Sequence, residues 1–95
     1  MPDSVKKKGC ERKFVIKNKL GLHARPAALL VQTANRFKSE VEIQKGRQKV
    51  NGKSIMGIMT LAAGAGTPIT VRTAGDDATL AMEEIAKLIA DNFGE

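Results

Sequence analysis

Hydrophobic residues recur along this chain with two periods, and the switches between them mark out its elements. From Glu11 to Asn18 the period is two. Phe14 and Ile16 fall on one side, with Lys13, Val15 and Lys17 on the other, the alternation of a half-buried strand. From Ala24 onward Ala27, Leu30, Val31, Ala34 and Phe37 return every three or four residues, which describes one apolar face of a helix. Proline is accepted in a helix only within the first turn, where its missing N–H has no partner to lose. Pro26 therefore fixes the start of this helix within a residue or two of His23, and Gly21 supplies a flexible joint before it. The helix is predicted to end near Arg36-Phe37-Lys38, whose cations suit the negative end of its dipole.

Period two returns over Glu40–Gln44, with Val41 and Ile43 inward and Glu40, Glu42 and Gln44 outward. Lys45-Gly46-Arg47 reads as a turn, and Gln48–Asn51 as a short strand coming back antiparallel. Ser54 opens a short helix from Ile55 to about Leu61, Ala62 to Gly66 is a loop of small residues, and Pro68–Thr73 is a fourth strand. Gly75-Asp76-Asp77 is a turn with acidic capping groups. A last helix from Ala78 to about Asn92 buries Ala78, Met82, Ile85 and Ile89, flanked by Ala81, Leu88 and Phe93. The order is βαββαβα, an α+β chain. Strands with one polar face predict an antiparallel sheet covered by helices on one side only, although pattern alone leaves the strand order open.

At 95 residues the chain is expected to form one domain with a single core. Residues 1–10 mix Lys, Pro, Ser and Gly without hydrophobic periodicity. They read as a flexible basic extension ahead of a domain over residues 11–95, with Cys10 at its edge. That lone cysteine excludes an internal disulfide and, beside a lone histidine, makes no metal-ligand set. No apolar run is long enough to span a membrane, and Lys6-Lys7-Lys8 leads into polar residues rather than the apolar core of a secretory signal. A soluble cytoplasmic protein is the expectation.

The formal charge of +6 is unevenly spread. Met1 to Lys13 holds five cations against two carboxylates, so half of the excess lies near the N-terminus. Arg36, Lys38, Lys45, Arg47, Lys49 and Lys53 make the middle basic, whereas Thr73 to Glu95 is acidic. Such polarity suits acidic partners and steers their encounter. Nucleic acid is the rival use of a basic surface, but single-strand readers add exposed aromatics for stacking, and this chain has three Phe, no Trp and no Tyr.

The chemistry concentrates at His23, the sole histidine, at or beside the N-terminus of the first long helix. Unpartnered backbone N–H groups and the positive end of the dipole make that position a cradle for an anion, and the N–H groups of Ala24 and Arg25 are placed to hold one. Arg25 adds a planar donor fork suited to phosphate. A neutral imidazole beside a phosphate cradle describes a nucleophile able to accept a phosphoryl group; a histidine that merely caps its helix is the plainer alternative. No HExxH, Walker loop, dinucleotide fingerprint, CxxC or nucleophile elbow is present, so neither metal nor cofactor is implied.

Leu20-Gly21-Leu22-His23-Ala24-Arg25-Pro26-Ala27 resembles the active-site signature of the HPr family, the histidine phosphocarriers of the bacterial sugar phosphotransferase system. Asn51-Gly52-Lys53-Ser54-Ile55-Met56-Gly57-Ile58-Met59 resembles that family's regulatory serine segment, at the spacing the family uses, and the likeness runs from about Phe14 to the C-terminus. The resemblance implies an open-faced β-sandwich of four antiparallel strands and three helices. It implies that Nδ1 of His23 is charged from phosphoenolpyruvate by enzyme I and discharged to sugar-specific IIA domains, with Arg25 stabilising the transferring group. It also implies a carrier rather than a turnover enzyme, acting as a cytoplasmic monomer.

For Ser54 the resemblance adds phosphorylation by the ATP-dependent HPr kinase/phosphorylase, and a transcriptional regulator that binds the phosphoserine form, to the helix-capping role its position suggests. Ile55, Met56 and Met59 match the family's partner-binding patch, with Leu22 and Ala28 extending it, while Ile58 and Leu61 face the sheet. Methionine suits a surface that must dock several unlike proteins. Two rivals remain within the resemblance. One is a binding-only regulator of the kind that keeps the serine and lacks the histidine, which the presence of His23 opposes. The other is the nitrogen-branch paralogue, which the Ser54 segment disfavours.

Overall fold

The computed structural model describes residues 9–95. Strands β1 (Gly9–Val15), β2 (Glu40–Lys45), β3 (Gln48–Asn51) and β4 (Pro68–Ala74) alternate with helices α1 (Ala24–Ala34), α2 (Ile55–Thr60) and α3 (Ala78–Ala90), in the βαββαβα order expected. The strands form one sheet in the order β1-β4-β2-β3, antiparallel throughout. Ile43 and Val71 pair at its centre. They join Ile16, Val41 and Ile69 in one core with Leu30 and Val31 of α1, Ile58 of α2 and Met82, Ile85 and Ile89 of α3. The helices therefore cover one face, as the period-two strands required. Among the described residues, no helix is long and apolar enough to cross a membrane.

On the uncovered face Arg72 forks between strands. Its Nε lies 2.7 Å from Glu11 Oε1 of β1, and its Nη1 lies 2.9 Å from Glu42 Oε1 of β2 and also bonds Gln44. Glu11 first and then Glu42 hold its guanidinium pKa above the ordinary value. A hollow of about 600 Å³ lies beside Arg72 on this face.

Several boundaries differ from expectation for local reasons. β1 starts at Gly9 rather than Glu11, because pairing with β4 continues to Gly9 opposite Ala74. Cys10 is thus half-buried within the sheet, its Sγ 3.7 Å from Thr79 Oγ1. Residues 1–8 of the expected extension lie outside the described residues. β1 also stops at Val15, although Ile16 stays tied to the β4 side by its N–H to Thr67 O (2.9 Å) and by Gly66 N–H to its carbonyl (2.7 Å).

α1 ends at Ala34, short of Arg36 and Lys38, with no cation in its last turn. The cation there comes from elsewhere in the chain: Lys53 Nζ donates to Phe37 O at 2.7 Å, as Lys45 Nζ does to Leu61 O behind α2. α3 ends at Ala90, followed by a short 3₁₀ turn over Asn92–Gly94.

Asp77 is the N-cap residue of α3, but its side chain does not cap the helix. It accepts instead from Ser39 N–H (2.9 Å), Lys38 N–H (2.9 Å) and the Ser39 hydroxyl, binding the α1–β2 connection to the start of α3. The Ser39 hydroxyl first, then the Lys38 N–H, hold its carboxyl pKa below the ordinary 3.8. A depressed carboxyl contributes stability that is present above its unfolded value and disappears as the pH falls through its folded one. Thermal melts should therefore show Asp77→Asn below wild type at neutral pH, with the gap closing as the pH falls below 3.8. A gap independent of pH would contradict this tether.

Candidate active site at the start of the first helix

His23 is the N-cap of α1, in extended backbone with φ −79° and ψ −171°. The first helical bond runs from Ala27 N–H to His23 O at 3.0 Å. Ala24, Arg25 and Pro26 precede it, and proline has no N–H. The helix thus turns the N–H groups of Ala24 and Arg25 outward at its positive end, where both residues are exposed. The imidazole makes no capping bond to this helix. Its Nε2 lies 3.0 Å from Oε2 of Glu95, at the far end of the chain. An ionised carboxylate only accepts, so the shared hydrogen sits on Nε2, and in the neutral ring Nδ1 carries the lone pair. Capping, the plainer role for His23, is not the one its ring takes.

The loop ahead of His23 is held from below. Gly21 has φ +68°, and a Cβ there would lie 2.3 Å from Ala63 O and 2.6 Å from Gly64 Cα. Leu22 N–H donates to Ala63 O at 2.8 Å, so the loop before α1 lies directly on the loop after α2. Asn18, 5 % exposed, closes the turn by donating from Nδ2 to Gly21 O at 2.7 Å and also to Glu95 Oε1 at 3.1 Å.

Beside the ring is a shallow hollow of about 270 Å³, walled by Leu20, Leu22, Met59, Ala62, Ala63 and Gly64. Leu22, expected to extend a partner patch, is a core residue at 4 % exposure and contributes only an inner wall. Leu20 was not expected there, yet it is 70 % exposed on the rim. Ile55 (42 %), Met56 (74 %) and Met59 (43 %) are exposed as expected, whereas Ile58 and Leu61 of the same segment are fully buried. Only Met59 of these three touches the hollow; Ala28 is half-buried on α1. Ser54 caps α2, its Oγ accepting from Gly57 N–H at 3.0 Å, and does not line the hollow.

Asn18 and Glu95 are the residues of this site that sequence reasoning missed. Asn18 carried no motif signal, and Glu95 is 72 positions from His23.

Comparison with known proteins finds relatives over most of the chain. Residues 10–91 match the family model PTS-HPr, the PTS HPr component phosphorylation site. The HPr-like protein Crh of Halalkalibacterium halodurans is 54% identical over 83% of this chain and 94% of its own. The phosphocarrier protein HPr of Cupriavidus necator is 48% identical over 90% and 96%. Among solved structures, HPr-C-His from Thermoanaerobacter tengcongensis matches with a TM-score of 0.88 at 49% identity, over 90% of this chain and 97% of that one. An HPr dimer from the same organism matches with a TM-score of 0.74 at 50% identity, over 86% and 94%.

Gly21→Ala is expected to cost on the order of 2 kcal/mol in denaturant melts, since it combines a left-handed backbone with a clash against fixed main chain. A loss of a few tenths would mean that the two loops are not held together in this way.

Proposed function

The chain belongs to the HPr family of phosphocarrier proteins, and on that premise we propose that His23 accepts a phosphoryl group on Nδ1 from phosphorylated enzyme I, charged by phosphoenolpyruvate, and passes it to sugar-specific IIA domains. The observation that carries this reading is the position of the ring. It stands at the N-terminus of α1, occupied at Nε2 by Glu95, beside the outward N–H groups of Ala24 and Arg25. A phosphoryl group on Nδ1 is a dianion, and these N–H groups with the dipole behind them stabilise it without rearrangement. Arg25, exposed in the first turn, supplies mobile positive charge to the group in transit. The phosphorus–nitrogen bond stays reactive, so the protein stores the group and hands it on without turnover chemistry of its own.

Docking is assigned to the apolar surface around the hollow: Leu20, Met59 and the neighbouring Ile55 and Met56, with Ala28 and the inner wall at Leu22. Partners bring an apolar side chain to the hollow and a reactive group to His23. The acting form is assigned as a monomeric, cytoplasmic carrier. Ser54 is assigned to phosphorylation by HPr kinase/phosphorylase, the phosphoserine form being read by a transcriptional regulator. Its half-exposed hydroxyl at a helix start tolerates a dianion there and changes the charge of the docking side. A second reading, a regulatory protein-binding module outside sugar uptake, is favoured by the likeness to the HPr-like protein Crh.

Intact mass after incubation with phosphoenolpyruvate and enzyme I should show one acid-labile phosphate on wild type and none on His23→Ala. Folded wild type that stays unmodified would turn the assignment toward the regulatory module. Ser54→Ala should lose about 1 kcal/mol of stability with its cap. It should also take no phosphate from ATP and the kinase; phosphate on that variant would place the modified residue elsewhere.

A further inference from the structure

We infer that Asn18 is a positioning residue for partner docking: its side chain clasps the turn over residues 18–21, so that Leu20 is displayed in one place on the rim of the hollow beside His23. This rests on the reading of that rim as a docking surface and of His23 as the phosphoryl acceptor.

The clasp is made twice between the same two residues. Gly21 N–H donates to Asn18 O at 3.0 Å, the ordinary closure of a four-residue turn. Asn18 Nδ2 donates back to Gly21 O at 2.7 Å, and its second hydrogen goes to Glu95 Oε1 at 3.1 Å. A carbonyl and an ionised carboxylate only accept, so the amide can face them with its nitrogen alone.

Burial makes this an informative side chain. Lys17, Lys19 and Leu20 are exposed, whereas Asn18 between them is turned inward at 5 % exposure. Its Oδ1 is buried without a hydrogen-bond partner, the one such side-chain atom among the described residues. An unpaired buried acceptor opposes folding, and an apolar side chain of the same size would avoid it. What the amide adds at this position is its donor, spent on the turn and on Glu95.

Leu20 is the residue this serves. Met59, the other large apolar side chain exposed at the hollow, stands on α2, and Ile58 roots that helix in the core. Leu20, 70 % exposed, stands on the turn itself. A loop side chain that must be ordered as it docks costs affinity, and one already held in place does not. His23 is placed by other means, with Leu22 buried before it and Pro26 in the first turn of α1. Loss of the clasp therefore falls on docking more than on the transfer step.

The test measures initial rates of phosphoryl acceptance from phosphorylated enzyme I at varied carrier concentration. Asn18→Leu fills the buried position without a donor, and should raise KM about fivefold while leaving kcat within about twofold. Asn18→Ala removes the donor without adding bulk and should match it. Leu20→Ala should raise KM to a similar extent, and the double variant Asn18→Leu/Leu20→Ala should be no worse than Leu20→Ala, because the clasp acts through Leu20. Nitrogen-15 relaxation of the free proteins should give the Lys19 and Leu20 amides order parameters of about 0.85 in wild type and below about 0.6 in Asn18→Leu. An unchanged KM in both Asn18 variants, additive losses in the double variant, or a turn that stays rigid without Asn18 would overturn this role while leaving His23 as the acceptor. A wild type that takes no phosphoryl group overturns the reading of His23, and the docking role of Asn18 with it.

Discussion

Between Gly21 and Ala63 there is no room for a side chain: a Cβ on the glycine would stand 2.3 Å from the carbonyl oxygen opposite. This close approach sets the geometry around it. It lays the loop before α1 on the loop after α2, lets Leu22 N–H reach Ala63 O, and sinks the Leu22 side chain into the core. With Leu22 anchored one residue earlier, and Pro26 allowing the helix to begin no later than its own first turn, His23 has only the N-cap left to occupy. The hollow beside the ring is the seam between the same two loops.

Around that seam the molecule separates two electrostatic tasks. The start of α1 gathers backbone N–H groups and Arg25 beside the open face of the ring, where the proposed phosphoryl group would rest, with one carboxylate on the far nitrogen of the ring. The start of α2 presents a serine whose hydroxyl already accepts a backbone hydrogen. A helix start tolerates added negative charge, so modification there acts on the charge of the surface more than on the fold. The apolar residues exposed along α2 leave that surface adaptable, and the helix is anchored in the core through Ile58 and the following Leu61.

The repeating elements were legible in the sequence because their periods are long enough to be distinctive. The face of α1 from Ala27 to Ala34 and the inward alternation of β2 are buried as read. What sequence reasoning missed depends on contacts between distant segments. The cation behind α1 is Lys53, not a neighbour such as Lys38. Asp77 occupies a capping position, but the Ser39 hydroxyl and two N–H groups of another connection compete successfully for its carboxylate. Gly9 and Cys10 have weak strand character by themselves and are recruited by Ala74 and Thr73 of the partner strand opposite them. At the site, His23, Arg25 and Ser54 were visible through their motifs. Glu95 was not, because its arrival depends on a left-handed turn that only the burial of Phe93 explains.

The central claim is that the ring is presented with Nε2 occupied and Nδ1 open to phosphorus. Phosphorus–nitrogen coupling in the phosphorylated protein, with histidine labelled in nitrogen-15, reads this directly, since His23 is the sole histidine. The account predicts a single phosphorus resonance coupled through one bond to Nδ1. Coupling to Nε2, or phosphate on any residue other than His23, would contradict it.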